Sequence, residues 1–183
     1  MSVIWKLIRR LTYVCGKLHA QCYNLKPGIK VQWGTLIEPG VVISTQGGGT
    51  ITIGKDCYLY RGAQLYSLGG GILMGNNCSV NPYTVLYGAG GLTIGKGVRI
   101  AASTTIVPAN HIFADRNKYI YKQGLDKKGI TIEDDVWIGS GVRVLDGTII
   151  RKGCVIGANS VLTKSTEEYG VYVGVPAKLI KQR

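Results

Sequence analysis

The 183-residue chain is poor in the residues that mark several common protein classes. Acidic side chains number 10 against 22 lysines and arginines, none precedes Glu38, and the formal net charge is +12. That excess suits nucleic acid, an anionic membrane surface or a phosphorylated ligand without choosing among them. No stretch of 18 apolar residues occurs, and no leader with basic, apolar and small-residue regions opens the chain. A membrane span and secretion are therefore not expected, and a cytoplasmic location is. The five cysteines, Cys15, Cys22, Cys57, Cys78 and Cys154, include no C-x-x-C pair, which argues against a disulfide framework or a zinc knuckle. Histidine is limited to His19 and His111. Proline is scarce (5) but glycine is abundant (27), and 45% of residues are hydrophobic, which excludes collagen-like and disordered chains and leaves one folded domain.

What the sequence does contain is a repeat. Aliphatic residues stand six apart at Ile132, Ile138, Val144, Ile150, Ile156 and Leu162. The residues four positions after each, Val136, Val142, Thr148, Cys154, Ser160 and Thr166, are all small. The rule extends upstream through Val31, Ile37, Ile43, then Ile53, Leu59, Leu65, then Met74, Val80, Leu86, then Ile94, Ile100, Ile106. Such a hexapeptide repeat predicts an all-β parallel β-helix in which three hexads form one triangular coil. The insertions "TQGGGT", "SLGGGI" and "YGAGGL" each follow the third hexad of a coil and so belong at one corner, where glycine permits φ > 0. Six coils stacked at about 4.8 Å give a prism roughly 30 Å long. Cys57, Cys78 and Cys154 fall at small fifth positions and read as corner packing.

An open prism end exposes unpaired backbone and apolar side chains. Residues 1–30 supply a cover, an amphipathic helix and lead-in whose Ile4, Leu7, Ile8, Leu11, Val14 and Leu18 follow helical spacing, with Lys6, Arg9, Arg10 and Lys17 elsewhere on the wheel. Its basic face equally suits peripheral contact with an anionic membrane surface. The repeat domain itself occupies residues 31–183.

Within it the rhythm fails once at length. After Ile106 the fifth position holds Asn110, the first that is not small, His111 follows, and a loop over residues 112–131 interrupts the hexads. Long loops in compact domains are usually functional. A neutral imidazole can take a proton from a hydroxyl near neutral pH, which makes His111 the candidate general base. The loop segment "FADRNKYIYKQGLDKKG" contains the chain's one phenylalanine, two tyrosines and five basic against two acidic residues, a composition suited to an anionic or phosphate-linked glycan.

"PANH", the loop, "KGITIEDDVWIGSG" and "VYVGVPAKLIKQR" together resemble the hexapeptide-repeat acyltransferases, and most closely the galactoside and maltose O-acetyltransferases and those that decorate surface polysaccharides. The resemblance implies a left-handed coil, acetyl-coenzyme A as co-substrate, no metal, and a homotrimer with active sites between prisms. It implies that His111 is the catalytic base. By the same resemblance Asn81 and Asn110 bind the acceptor and Trp137 walls the site. It places the Ser140 backbone N–H at the thioester oxygen and Ala158 at the pantetheine arm, with Thr163, Lys164 and Lys178 near the nucleotide end. Lysines there would meet several phosphate charges. A thiol of pKa near 8.5 leaves without a strong acid, so one base and one oxyanion donor suffice for the transfer.

The expected activity is O-acetylation of a sugar hydroxyl in surface polysaccharide or O-antigen biosynthesis. Alternatives are an N-acetyltransferase acting on a xenobiotic or amino sugar, and a non-catalytic β-helix scaffold. The γ-type carbonic anhydrases share the prism but need three histidines for zinc. Nucleic acid is not expected as a partner, because no aromatic-lined basic groove is evident.

Overall fold

The computed structural model describes residues 14–183. Residues 29–162 wind into six coils of a left-handed parallel β-helix, each coil contributing one short strand to each of three faces. The first face begins with Ile29–Val31, the second with Leu36–Ile37 and the third with Val42–Ser44. The strands pair in parallel with the same face of the next coil.

The register follows the hexads. Val31 lies over Ile53, Met74, Ile94, Ile132 and Ile150 in turn down the first face. Ile37 heads the same ladder on the second face and Ile43 on the third. All eighteen hexad starts are 4% exposed or less. A strand with one inward residue per face needs an aliphatic at that place in every coil, because a slip by one residue would turn it outward.

The small fifth positions close the corners and also link coils. Thr35 Oγ1 donates to Gly54 O at 2.7 Å, Thr84 Oγ1 to Ala101 O at 3.0 Å, and Thr104 Oγ1 to Gly139 O at 3.0 Å. The Cys57 thiol donates to Gly75 O at 3.1 Å and the Cys78 thiol to Gly95 O at 3.0 Å. Each buried hydroxyl or thiol thus satisfies a carbonyl of the following coil, at corner positions that Val41, Val98, Val136 and Val142 fill in other hexads. The three glycine insertions share the corner between the third face and the next first face, as the spacing requires. There the coils approach so closely that a Cβ on Gly49, at φ +90°, would lie 1.9 Å from Gly70 O.

Both ends are covered. Residues 14–22 are helical and run into a 3-10 turn, Tyr23–Leu25. This segment packs on coil 1 with a different face from the one its hydrophobic spacing predicts. Val14 and Leu18 are 52% and 56% exposed, whereas Gly16, Ala20 and Tyr23 are buried. The remaining predicted positions, Ile4, Leu7, Ile8 and Leu11 with Lys6, Arg9 and Arg10, lie outside the described residues. The reason for the switch is proximity: a Cβ on Gly16 would stand 3.0 Å from Leu36 Cγ, so only small residues let the helix reach the coil edge. From there its polar side chains serve that edge. His19 Nδ1 meets Ile37 O at 3.1 Å and the Tyr23 hydroxyl donates to Val41 O at 3.1 Å. Asn24 takes the place of a strand, donating to Val31 O at 3.0 Å and accepting from Val31 N at 2.7 Å.

At the other end Gly170–Gly174 extends the second face beside Val155–Ile156, and Ala177–Gln182 folds back on it antiparallel. Among the described residues no helix is long and apolar enough to cross a membrane.

The cap geometry makes a paired prediction. Ala20→Leu overpacks a fully buried contact and should lower stability by about 1–3 kcal/mol. Leu18→Ala should change it by less than about 0.5 kcal/mol. Urea unfolding of the two variants checks this, and the opposite ranking would mean that the helix is seated by its apolar stripe after all.

Candidate active site

His111 is displayed where the chain leaves the prism. At the corner after the third face, where coils 1 to 3 carry Gly47, Gly69 and Gly90, coil 4 carries the exposed Asn110. Asn110 and His111 instead pair antiparallel with Asp126 and Leu125, so the interruption opens as a two-stranded ribbon. Gln123 closes its far end: the side-chain amide donates to Asp115 O at 2.8 Å and Lys118 O at 2.9 Å and accepts from Asp115 N at 3.0 Å. The return is fixed by Asp146, whose carboxylate accepts from Lys128 N and Gly129 N. The loop ends at Gly129, two residues before the expected boundary, because Ile130 already pairs with Leu92 on the first face.

A pocket of about 450 Å³ opens beside the histidine, lined by Asn110, His111, Ile112, Phe113, Ala114 and Asp126. The imidazole is exposed and has no hydrogen-bond partner among the described residues. Phe113, Tyr119 and Tyr121 are also exposed, and Lys122 Nζ lies over both tyrosine rings at 5.9 and 5.8 Å.

A second group of expected site residues follows the edge between the second and third faces. Each coil turns this corner with four residues, and the second of them gives no N–H bond to a neighbouring coil. In coils 4, 5 and 6 these are Ala102, Ser140 and Ala158, whose N–H groups donate to nothing among the described residues. Of their six neighbours all but Asn159 are small (Ala101, Ser103, Gly139, Gly141 and Gly157), so an extended ligand could lie against the backbone. In coils 1, 2 and 3 the same place holds Pro39, Arg61 and Pro82. Proline has no N–H, and that of Arg61 is taken by Glu38 Oε2 at 2.9 Å.

Ser140 and Ala158 therefore belong to a row of N–H donors that the stack does not use. Ala102 belongs to it too and was missed in the sequence; the available signal was its register, one coil before Ser140. Asn81 borders the row in coil 3. Its Nδ2 donates to Ile100 O at 2.9 Å, which orients the side-chain carbonyl.

The other expected residues divide between these places. Lys178 lies opposite Val173 in the C-terminal hairpin. Val173 covers Gly157, where an added Cβ would stand 2.6 Å from its Cγ1, so Lys178 is near Ala158. Thr163 and Lys164 are exposed just past the last third-face strand, Val161–Leu162, on the same side of that face as His111. Trp137 is on the outer surface of the second face between Arg99 and Val155, 56% exposed and away from the His111 pocket. One chain thus separates the histidine from the N–H row by the width of the third face, roughly 15 Å for about five extended residues.

Cys57, Cys78 and Cys154 are buried at 2%, 2% and 0% exposure, in corner positions far from solvent. The adjacent Cys57, together with burial, pushes the Cys78 thiol up. The same contact with Cys78 holds the Cys57 thiol down against its own burial, while both thiols donate to backbone carbonyls and are closed off from solvent.

Residues 129–164 match the family described as bacterial transferase hexapeptide (six repeats). WbbJ of Escherichia coli (strain K12), provisionally named a lipopolysaccharide biosynthesis O-acetyl transferase, is 34% identical over 142 residues, 73% of this chain and 72% of its own length. The chain belongs to the hexapeptide-repeat acyltransferases, and it is an enzyme rather than a bare scaffold. Among its relatives it is also similar to the galactoside O-acetyltransferase of the same organism, 31% identical over 132 residues, which are 72% of this chain and 63% of that enzyme. The fold matches AntD, an N-acyltransferase from Bacillus cereus solved with dTDP and 3-hydroxybutyryl-CoA. The TM-score is 0.77 at 22% identity, over 90% of this chain and 88% of that one.

Thiol chemistry tests the corner assignment. In the native protein Ellman's reagent should modify Cys15 and Cys22 alone, with Cys57, Cys78 and Cys154 reacting only in denaturant. Fast reaction of a third thiol under native conditions would contradict it.

Proposed function

We propose that the protein is an acetyl-coenzyme A-dependent O-acetyltransferase that acts on a sugar hydroxyl of a surface polysaccharide, in a homotrimer whose active sites form between prisms. The observation that carries this reading is the division of the site. A base and a row of N–H donors on opposite margins of one face meet only when the margin of one copy faces the opposite margin of another. Copies arranged side by side about a threefold axis bring His111 of one prism toward the Asn81–Ala158 edge of the next. The kinship with WbbJ and with the galactoside enzyme supports a sugar acceptor.

In the proposed reaction acetyl-coenzyme A lies along the edge of coils 4 to 6. The thioester carbonyl faces the Ser140 N–H, with the N–H groups of Ala102 and Ala158 available to the carbonyl oxygens of the acetyl and pantetheine portions. Thr163, Lys164 and Lys178 serve the nucleotide end, where lysine charge meets phosphate. Asn81 and Asn110 hold the acceptor, and Trp137 flanks the approach. His111 takes the acceptor's hydroxyl proton as the oxygen attacks the thioester carbon. The tetrahedral oxyanion is met by the fixed N–H of Ser140, which needs no reorganisation at that moment. Collapse expels the thiolate, and the imidazolium returns a proton to it. The exposed Val14, Leu18 and Leu25 support peripheral contact of the N-terminal segment with a membrane that carries the acceptor, and the reaction is placed on its cytoplasmic side.

An N-acetyltransferase acting on an amino sugar is the second reading, prompted by the likeness in fold to AntD. An amine needs less help from a base than a hydroxyl, so the two readings differ in their dependence on His111.

His111→Ala should lower acetyl transfer to a sugar hydroxyl about 10²–10⁴-fold while the trimer and acetyl-coenzyme A binding persist. Near wild-type turnover would remove the assignment, and a loss seen on hydroxyl acceptors but not on amino sugars would favour N-acetylation. Ser140→Pro is a more selective probe, because Pro39 and Pro82 show that the corner accepts proline. It should fold like wild type by circular dichroism and lose roughly 10²–10³ in kcat. A fully active Ser140→Pro enzyme would exclude that N–H from the chemistry.

A further inference from the structure

The edge that holds Asn81 and Ser140 changes its chemistry halfway along. Below Asn81, coils 4 to 6 offer bare N–H donors framed by small residues. Above it, Pro39 and Pro82 remove the donor and Glu38 occupies that of Arg61. The amide-containing arm of a cofactor gains nothing from such a surface, so a ligand lying there is of another kind.

The upper half presents tyrosine. Tyr58 and Tyr60 stack with ring centroids 4.2 Å apart, and the Tyr58 hydroxyl donates to Glu38 Oε1 at 3.0 Å. Because the other Glu38 oxygen accepts from Arg61 N, one carboxylate holds both the ring pair and the turn beside it. The platform is therefore fixed before any ligand arrives. Tyr83 stands next to it in the following coil, 68% exposed, at a left-handed φ of 60°. In the other coils that place is taken by Gly40, Gly62, Gly141 and Asn159, residue types that tolerate φ > 0, and by the small Ser103. A bulky ring at this φ is a local strain, and it packs across Gly62 while most of it stays open to solvent. Tyr169 lies similarly over Gly153, but it is less exposed, at 40%, and its backbone is held by Lys152 O and Arg183 N.

We propose that Tyr60, Tyr83 and Arg61, next to Asn81, form a track for a glycan of more than one sugar unit, so that the acceptor is an oligosaccharide or polysaccharide chain rather than a free sugar. The inference rests on the acetyl-transfer reading above and specifies its acceptor. Coils 1 to 3 rise about 10 Å, longer than a single pyranose ring. A tyrosine ring offers an apolar face to the C–H side of a sugar and a hydroxyl at its rim. Arg61, exposed beyond the platform, suits a carboxylate or phosphate on the chain. The unit to be acetylated sits at Asn81, where the two halves meet, and the rest of the chain runs away from the cofactor.

The test uses the intact trimer and an array of bacterial O-chain and capsular oligosaccharides graded from monosaccharide to hexasaccharide. The wild-type protein should bind longer members more tightly, and Tyr83→Gly should reduce that length preference about tenfold. Because glycine relieves the left-handed backbone, Tyr83→Gly should keep or raise Tm, which separates a ligand role from a structural one. Tyr60→Leu, which keeps an apolar side chain on Tyr58, should lose the preference in the same way. Equal binding of monosaccharide and longer chains by the wild type, or an unchanged preference in both variants, overturns the track. If the wild type binds longer chains but transfers acetyl to none of them, the track stands and the O-acetyltransferase reading falls. If it acetylates free sugars as readily as chains, the transfer reading stands and the track falls.

Discussion

The structure depends on one constraint, the coil-to-coil ladder in which every short strand pairs only with the strand directly above and below it. That pairing fixes the inward position of each hexad, since Val31 can lie over Ile53 only if the coil between them closes in phase. It also fixes what the corners must be. The fifth residue of a hexad is buried where coils turn, so a polar one must find a carbonyl of the next coil, as Thr35, Cys57 and Thr84 do. Even the long excursion after coil 4 leaves this link intact. Thr104 reaches Gly139 across 35 residues of sequence as Thr84 reaches Ala101 across 17.

A lattice so repetitive is legible from sequence because each coil states the same requirement again. The inward ladder, the shared glycine corner and the corner cysteines could all be read from period alone. The break at Asn110 and His111 was legible for the same reason: a polar residue at a place that is otherwise small has no use inside the prism. What the period does not encode is how the ends are finished. The N-terminal stripe of Val14 and Leu18 reads as the buried face, yet the contact is made by Gly16 and Ala20, because the first coil edge demands closeness and hydrogen bonds more than apolar area. The side chains of His19, Tyr23 and Asn24 replace a missing coil, a role that no hydropathy pattern signals.

The break in period singled out His111, and the resemblance placed candidate sites between prisms without saying which margins meet. The structure puts His111 on one margin of the third face and Asn81, Ser140 and Ala158 on the other. Period assigns a residue to a corner without saying which corners of different chains will meet. Ala102 was missed because its contribution is a backbone N–H, and alanine carries no side-chain signature of that function. Only the bonding of its neighbours, with Ala101 N committed to Ile138 O and Ser103 N to Pro82 O, shows that the donor between them is left over.

That leftover donor is what makes this edge the candidate place for a ligand. At the second corner residue the ladder uses the carbonyl but makes no demand on the N–H, which gives no bond to either neighbouring coil. The position can therefore be proline, as at 39 and 82, or capped by a carboxylate, as at 61, or bare, as at 102, 140 and 158, without opening the prism. The neighbouring donors of Ala101, Gly139, Gly141 and Gly157 are bound into the stack and cannot be altered so freely. The fold leaves one line of positions along which the surface can change from hydrogen-bond donor to closed, and the change between Pro82 and Ala102 falls beside Asn81. Rigidity in the coils is what gives this line its value, because donors held by a ladder on both sides keep their direction when charge develops in front of them.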